Sequence, residues 1–456
     1  MPFPRKTSQA ILSFGAIMLL LGAAKLLHPV EFASVVDFEP PTVPLSAATD
    51  STPPPPPPLP VIPPGTASRG RRPGYAMRPP DGMAVQIIDP AGSMRPFYQA
   101  LDRTAAGEGV TRILHYGDSP VTADSITADL RSLLQERFGD AGHGFVLVAK
   151  PWAWYGHRGV EVRANGWTIQ PATQAHARDG LHGLGGVSFE GGAGAWSAFR
   201  LESDHSIMEV SFLRRPSGGV FQVRAGDQLL GFVDTSGALQ SGWATFAVPA
   251  GAREIRIEVQ SGSVRLFGAS FEKSGPGVIY NSLGLNGGQV QVVVRYFDPV
   301  HWSGQLQHSR PDLVVVNYGT NESLFPQYLE TYYPGELRTV IRRIQSALPG
   351  VSVLIMSPMD KGERDSSGRI VTAASLPRIV QIQHDIAQET GCAFFNTFEA
   401  MGGPGTMARW YTTQPRLVTA DFTHPFPAGA RKVGILVDNA ILAGYNRYRI
   451  AQRAAQ

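Results

Sequence analysis

Hydrophobic and polar positions change period several times along the chain, and each change marks an element. Ile113-Leu114-His115-Tyr116-Gly117 reads as an apolar strand that ends in Gly117-Asp118-Ser119-Pro120. Residues 122–138 follow at once, with Ile126, Leu130, Leu133, Leu134 and Phe138 at helical spacing. Ahead of them the pattern predicts a short strand over 84–88 and a helix over 94–106. Further on, strands are predicted over 278–283, 312–318, 351–356 and 393–395. Helices are predicted over 335–348, with Leu337, Ile341 and Ile344, over 376–389, with Ile379, Ile382 and Ile386, and over 427–445. The 312–318 run is almost continuously apolar, as a parallel strand covered on both faces requires. Repeated β-then-α units predict an α/β fold, a three-layer, doubly wound parallel sheet.

The period changes to short alternating runs between 185 and 273. Strands are expected over 207–213, 220–224, 229–233, 244–248, 254–259 and 264–271. Turns such as Pro216-Ser217-Gly218-Gly219 and Ala250-Gly251 separate them. This predicts an inserted β-sandwich or jelly-roll domain. It divides the α/β part into 81–184 and 274–447, with a tail over 448–456. Before the insert, 139–145 is rich in glycine, and Trp152, Trp154, Tyr155 and His157 follow. Such a stretch suits the wall of a sugar-sized cleft, or a packed surface loop.

The N-terminus is of another kind. Arg5 and Lys6 precede an uncharged, mostly apolar run over 7–24. Residues 1–27 are therefore a secretory signal, with Gly22-Ala23-Ala24 suited to cleavage, or a membrane anchor extended past Lys25 by Leu26 and Leu27. Both readings place the body outside the cytoplasm, in the periplasm or cell envelope; the anchor is preferred, which holds it to the inner membrane. Residues 28–80 form a linker. Its unbroken run Pro53–Pro58 favours a stiff polyproline II spacer.

Charge and composition narrow the chemistry. A net charge of +3 over 456 residues, with no long basic block, argues against a nucleic-acid partner. The single cysteine, Cys392, excludes an internal disulfide. His143, His157, His301 and His308 lack metal-ligand spacing, so no zinc set is expected. No phosphate-cradling glycine loop with a lysine is present, and no cofactor is expected.

Four strand-end or loop positions can share the crevice at the carboxyl edge of such a sheet: Ser119, Gly287, Asn321, and Asp421 with His424. They supply what acyl transfer needs. Ser119 is the candidate nucleophile, His424 the base and Asp421 its orienter. The N–H groups of Ser119 and Gly287 and the Asn321 amide are candidate oxyanion donors. Asp118 is expected to hydrogen-bond within the serine's turn and His115 to lie in the core. Trp302 and Trp410 are expected in the core rather than as sugar platforms. Asp360, Lys361, Glu363 and Arg364 read as a solvated loop.

In order, these blocks resemble the SGNH/GDSL hydrolase superfamily: Gly117-Asp118-Ser119, Gly287, Gly319-Thr320-Asn321 and Asp421-Phe422-Thr423-His424. Within it the chain resembles bacterial peptidoglycan O-acetylesterases. That likeness rests on the stretches 115–119 and 138–145, on Tyr318-Gly319-Thr320-Asn321-Glu322 and on the β insertion. It covers roughly residues 110 to 445. Two positions depart from the pattern. Pro120 stands where those esterases usually show histidine, and Glu322 where the wider superfamily has aspartate. The resemblance implies a serine esterase acting on O-acetyl groups of a cell-envelope glycan, peptidoglycan favoured, with a carbohydrate-binding-like insert. An O-acyltransferase on the same glycan, or a tethered glycan-binding protein without activity, are the alternatives.

Overall fold

A computed structural model describes residues 85–174 and 179–455. The segments read as anchor (1–27) and linker (28–80) lie outside the described residues. In chain order the strands are β1 (Val110–Gly117), β2 (Gly142–Val146), β3 (Val160–Pro171), β4 (Val187–Leu201), β5 (Ile207–Arg214), β6 (Val220–Ala225), β7 (Gln228–Asp234) and β8 (Gln240–Ala247). They continue as β9 (Glu254–Ser261), β10 (Ser263–Glu272), β11 (Gly277–Gly284), β12 (Leu313–Asn317), β13 (Ser352–Met356), β14 (Gly362–Arg364), β15 (Ile370–Thr372) and β16 (Ala393–Phe395).

Five of these form an all-parallel sheet in the order β11-β1-β12-β13-β16. Alternation along its strands sends side chains into two separate cores. Ile113, Val315 and Leu354 pack with Phe97, Leu130, Val433 and Ile441 from the helices Arg95–Ala105, Ser125–Phe138 and Pro427–Ala454. Leu114, Val314 and Ile355 pack on the other face with Ile341, Ile344, Ile379 and Ile386 from the helices Tyr333–Ala347 and Leu376–Thr390. Helices therefore cover both faces, the three layers that the apolar strand runs predicted.

Three local differences from the predicted elements have physical causes. The helix expected over 122–138 is broken. A single turn, Ser119–Thr122, precedes Ser125–Phe138, because Asp124 between them has φ 52°. That conformation is held by the buried Asp124 carboxylate, which takes the Arg131 guanidinium at 2.6 Å, the Thr127 hydroxyl at 2.7 Å and the Arg158 N–H at 2.9 Å. The strand expected over 84–88 is reduced to one bridge, Ile88 to Phe394. Asp89 ends it by accepting the N–H groups of Ser93 and Met94. Two helices, Val290–Tyr296 and Pro299–Ser309, and the β14–β15 hairpin occupy stretches that carried no clear period.

All six strands expected in the insert are present, but they do not form a sandwich of two facing sheets. Nine strands hydrogen-bond into one antiparallel sheet, ordered β7-β6-β9-β4-β10-β5-β8, with β2 on β10 and β3 on β4. The long strand β4 explains this. Its first half pairs with β10 through Phe189–Gly192 and its second half with β9 through Trp196–Arg200. The glycines between let one strand serve two neighbours. The sheet curls until it is nearly barrel-like; a Cβ placed on Gly231 of β7 would stand 3.2 Å from the Phe246 ring of β8. The sheet also begins before residue 185. The glycine-rich stretch near 142 is the buried strand β2 and not a cleft-lining loop.

At the upper edge of the parallel sheet, glycines permit close approach. A Cβ on Gly284 would strike the backbone nitrogen of Thr122, inside the turn that begins at Ser119. Gly284→Ala should therefore cost about 1–3 kcal/mol, as overpacking does. Urea denaturation should show the loss; an unchanged midpoint would contradict this packing.

Candidate active site

In their own chain order the parallel strands lie 2-1-3-4-5, so the winding reverses between β1 and β12. Ligands of open α/β sheets bind at that reversal, beyond the carboxyl ends of the strands. Ser119 follows β1, Asn321 follows β12, and Gly117 and Asn317 are register partners at the two strand ends. Gly287 follows β11 on the other side of β1. The Leu285 N–H donates to the Gly117 carbonyl at 2.9 Å, strapping that loop to the serine's strand.

Ser119 is the first residue of its helical turn and is half-buried. Pro120 takes the second position, where a helix has no intrahelical acceptor for an N–H, so this departure removes a donor that the turn does not use. The Thr122 hydroxyl donates back to the Ser119 carbonyl at 2.8 Å.

The structure brings Ser119, His424 and Asp421 together. His424 Nε2 stands 2.8 Å from Ser119 Oγ, and His424 Nδ1 stands 2.7 Å from Asp421 Oδ2. A carboxylate only accepts, so the imidazole proton sits on Nδ1 and the Nε2 lone pair faces the serine hydroxyl. Asp421 Oδ1 also accepts the Thr419 hydroxyl at 2.6 Å and the N–H groups of Thr423 and His424 at 2.9 and 3.0 Å. Phe422, at φ 56°, bends the loop so that both side chains point back to the sheet edge. The His424 and Asp421 side chains remain 44% and 51% exposed, which leaves the serine open at a rim.

Charge follows from this geometry. Partial burial works against ionised Asp421, but its hydrogen bonds from His424, Thr419 and Thr423 outweigh that and hold it well below the usual carboxylate range. The Asp421 hydrogen bond raises His424 above the ordinary histidine value, against desolvation.

Asn321 and the Gly287 loop are also joined. The Asn321 amide donates one hydrogen to the Gly288 carbonyl at 2.9 Å and keeps its second. Gly287 has φ 67°, and a Cβ there would meet nothing within 4 Å, so its backbone faces open space.

Two buried carboxylates brace these loops, and sequence reasoning missed the work of both. The Asp118 side chain makes no capping hydrogen bond to the turn that follows it. It crosses to the Thr320 N–H at 3.2 Å, and burial pushes its pKa to about 6. Glu322 is fully buried and takes the Val290 N–H at 2.8 Å, joining the Asn321 turn to the helix after Gly287. Burial pushes it to about 8, with Asp118 adding to the rise. The only sequence signal for either was its position inside a motif.

The stretch expected to be a solvated loop is half wrong. Asp360 is buried and accepts the Met407 N–H and the Thr372 hydroxyl, while Lys361 is half-buried against the Asn321 turn. Glu363 and Arg364 are exposed. His115, Trp302 and Trp410 lie in the core, His115 bonded to the Tyr280 hydroxyl and Trp302 to that of Tyr116. Among the described residues no group of histidine, cysteine or carboxylate side chains is placed to hold a metal. A cavity of about 180 Å³, lined by Arg112, Glu209, Trp243, Glu272 and His308 among others, contains none of Ser119, Asp421 and His424.

Comparison with known proteins agrees with this picture. Residues 250–432 match the GDSL-like lipase/acylhydrolase family, a stretch that holds Gly287, Asn321, Asp421 and His424. No sequence among curated proteins matches the chain. A solved peptidoglycan O-acetylesterase shares its fold with a TM-score of 0.69 and 22% identity, over 79% of this chain and 99% of that one. A family two carbohydrate esterase from Clostridium thermocellum, in complex with cellohexaose, aligns at 11% identity over 62% of this chain and 100% of that one, with a TM-score of 0.29. A salicylyl-acyltransferase from a tetracycline biosynthetic pathway aligns at 11% identity over 63% and 95%, with a TM-score of 0.28. The last two fit too loosely to bear on this molecule. The match over residues 250–432 and the fold shared with the first point the same way: the chain resembles the SGNH/GDSL hydrolases, which are carboxylic ester hydrolases, and among them the peptidoglycan O-acetylesterases.

Proposed function

We propose that the chain is a serine esterase that removes O-acetyl groups from a cell-envelope glycan, peptidoglycan favoured. The observation that carries this is the unbroken line of hydrogen bonds from Ser119 Oγ through His424 to Asp421. In this reading Ser119 Oγ attacks the acetyl carbonyl while its proton passes to His424 Nε2. Negative charge on the carbonyl oxygen is met by the N–H groups of Ser119 and Gly287 and the free amide hydrogen of Asn321, each donor contributing about 3–4 kcal/mol. As the tetrahedral centre collapses, the bond to the sugar oxygen breaks and that oxygen takes the proton from His424. Water, deprotonated by the same imidazole, then cleaves acetyl-Ser119 to acetate. Asp421 fixes the tautomer and offsets the imidazolium charge.

Two features support a polymeric glycan as substrate. The rim is open, so an ester hanging from a long chain can reach the serine without the chain entering a deep pocket. The neighbour with the matching fold is itself described as a peptidoglycan O-acetylesterase. In the same reading residues 1–27 export the enzyme and tether it at the envelope.

Ser119→Ala should lower acetate release from O-acetylated peptidoglycan by about 10⁴-fold or more. Undiminished release would refute the serine mechanism. The pH dependence gives a second test. Acid protonates His424 and removes the base; because its pKa is raised by Asp421, the acid limb of kcat/KM should lie above the ordinary histidine value of about 6.5. Asp421→Asn should cut kcat by about 10⁴-fold and move the limb of the residual activity to lower pH. A limb that stays in place would show that the carboxylate does not act on this imidazole.

A further inference from the structure

Asp421 and His424 lie on one loop and Asn321 lies on another. A third segment, 360–362, touches both. The Gly362 N–H donates to the Phe422 carbonyl at 2.8 Å, and a Cβ on Gly362 would stand 2.7 Å from that of Phe422, so the backbone here is pressed onto the triad loop. One residue earlier, the Lys361 ammonium reaches the other way. It donates to Ser323 Oγ at 3.1 Å and to the Thr320 carbonyl at 3.4 Å. The Ser323 hydroxyl itself donates to the Thr320 carbonyl at 2.6 Å, and Ser375 holds the Ser323 carbonyl at 2.6 Å. Thr320 and Ser323 lie on either side of Asn321 and Glu322. Among the described residues no carboxylate forms an ion pair with Lys361.

We propose that Lys361 is a positioning residue for ester cleavage: its backbone is clasped to the Asp421–His424 loop while its ammonium holds the Asn321 turn, fixing the base and an oxyanion donor relative to each other. The proposal rests on the reading of Ser119 and His424 given above. A half-buried cation with no carboxylate partner is costly unless it works against charge that appears nearby. Here that charge is the oxyanion and the two carboxylates beside the imidazole. The groups facing His424 are Asp421 from its own loop, Asp118 and the Ser119 hydroxyl from the end of β1, and Lys361 from the loop after β13. Asp421 and Asp118 favour the imidazolium; Lys361 opposes it. Desolvation lowers the pKa of Lys361, while Glu363, Asp118 and Asp421 support its charge.

The test uses p-nitrophenyl acetate, so that it does not depend on which glycan is the substrate. Lys361→Met should lower kcat about 10- to 100-fold, the scale of a small misplacement of reacting groups, with little change in KM. It should also move the acid limb of kcat/KM to higher pH, because the charge opposing the imidazolium is gone. Lys361→Arg should restore most of the rate and return the limb. Ser323→Ala, which loosens the clasp without removing charge, should lower kcat and leave the limb in place. Wild-type kcat and limb in folded Lys361→Met would overturn the proposal. Equal losses in Lys361→Met and Lys361→Arg with no limb shift would also overturn it, as would wild-type kcat in Ser323→Ala should Lys361→Met fail to fold. Ser119→Ala reports on the serine reading separately, since it removes the nucleophile and leaves the clasp intact.

Discussion

The parallel register of β1 with its two neighbours is the constraint on which the site depends. Hydrogen bonding aligns Gly117 with Gly284 on one side and with Asn317 on the other. Three chain segments, distant in sequence, must therefore leave the sheet at the same level. Each exit carries one group of the candidate site. Glycine makes the crowding possible: side chains on Gly117 and Gly284 would strike Val121 and Thr122 of the turn that presents Ser119. The fourth segment, with Asp421 and His424, arrives from outside the sheet and needs other means to hold it.

Those means are polar and largely buried. Asp118 ties the serine's turn to Thr320, Glu322 ties the Asn321 turn to Val290, and the 360–362 segment joins the Asn321 turn to the Asp421–His424 loop. The arrangement places desolvated carboxyls beneath the more exposed side chains of Asp421 and His424. Burial disfavours the ionised forms of Asp118 and Glu322, so the base of the site carries less negative charge than its composition suggests. In the proposed mechanism that favours the transient oxyanion. At the rim, solvent access to His424 suits the second half-reaction of the proposed mechanism, in which water reaches the acyl-enzyme.

Much of the parallel sheet was legible because it is buried on both faces. The runs 313–316 and 353–356 are apolar throughout, the pattern of a parallel strand covered on both faces. The candidate triad was legible from the order of short motifs. What was not legible depends on pairing and desolvation, which have no local signature. Val290–Tyr296 is a helix although four of its seven residues are valine, because Val290, Val292 and Val293 are buried in the core. The glycines of 142–146 hide a strand whose place is set by β10. The closure of the antiparallel sheet rests on the bend in β4, which looks in sequence like a glycine-rich break. Lys361 sits in a run of charges with nothing to separate it from its exposed neighbours.

The central claim is that Ser119 and His424 act as one nucleophilic couple. Fluorophosphonate labelling of the intact enzyme, read by peptide mass spectrometry, tests it most directly, because only a hydroxyl activated by a neighbouring base reacts. The account predicts a single adduct, on Ser119, that disappears in His424→Ala. An adduct on another residue, or equal labelling of Ser119 without the imidazole, would contradict it.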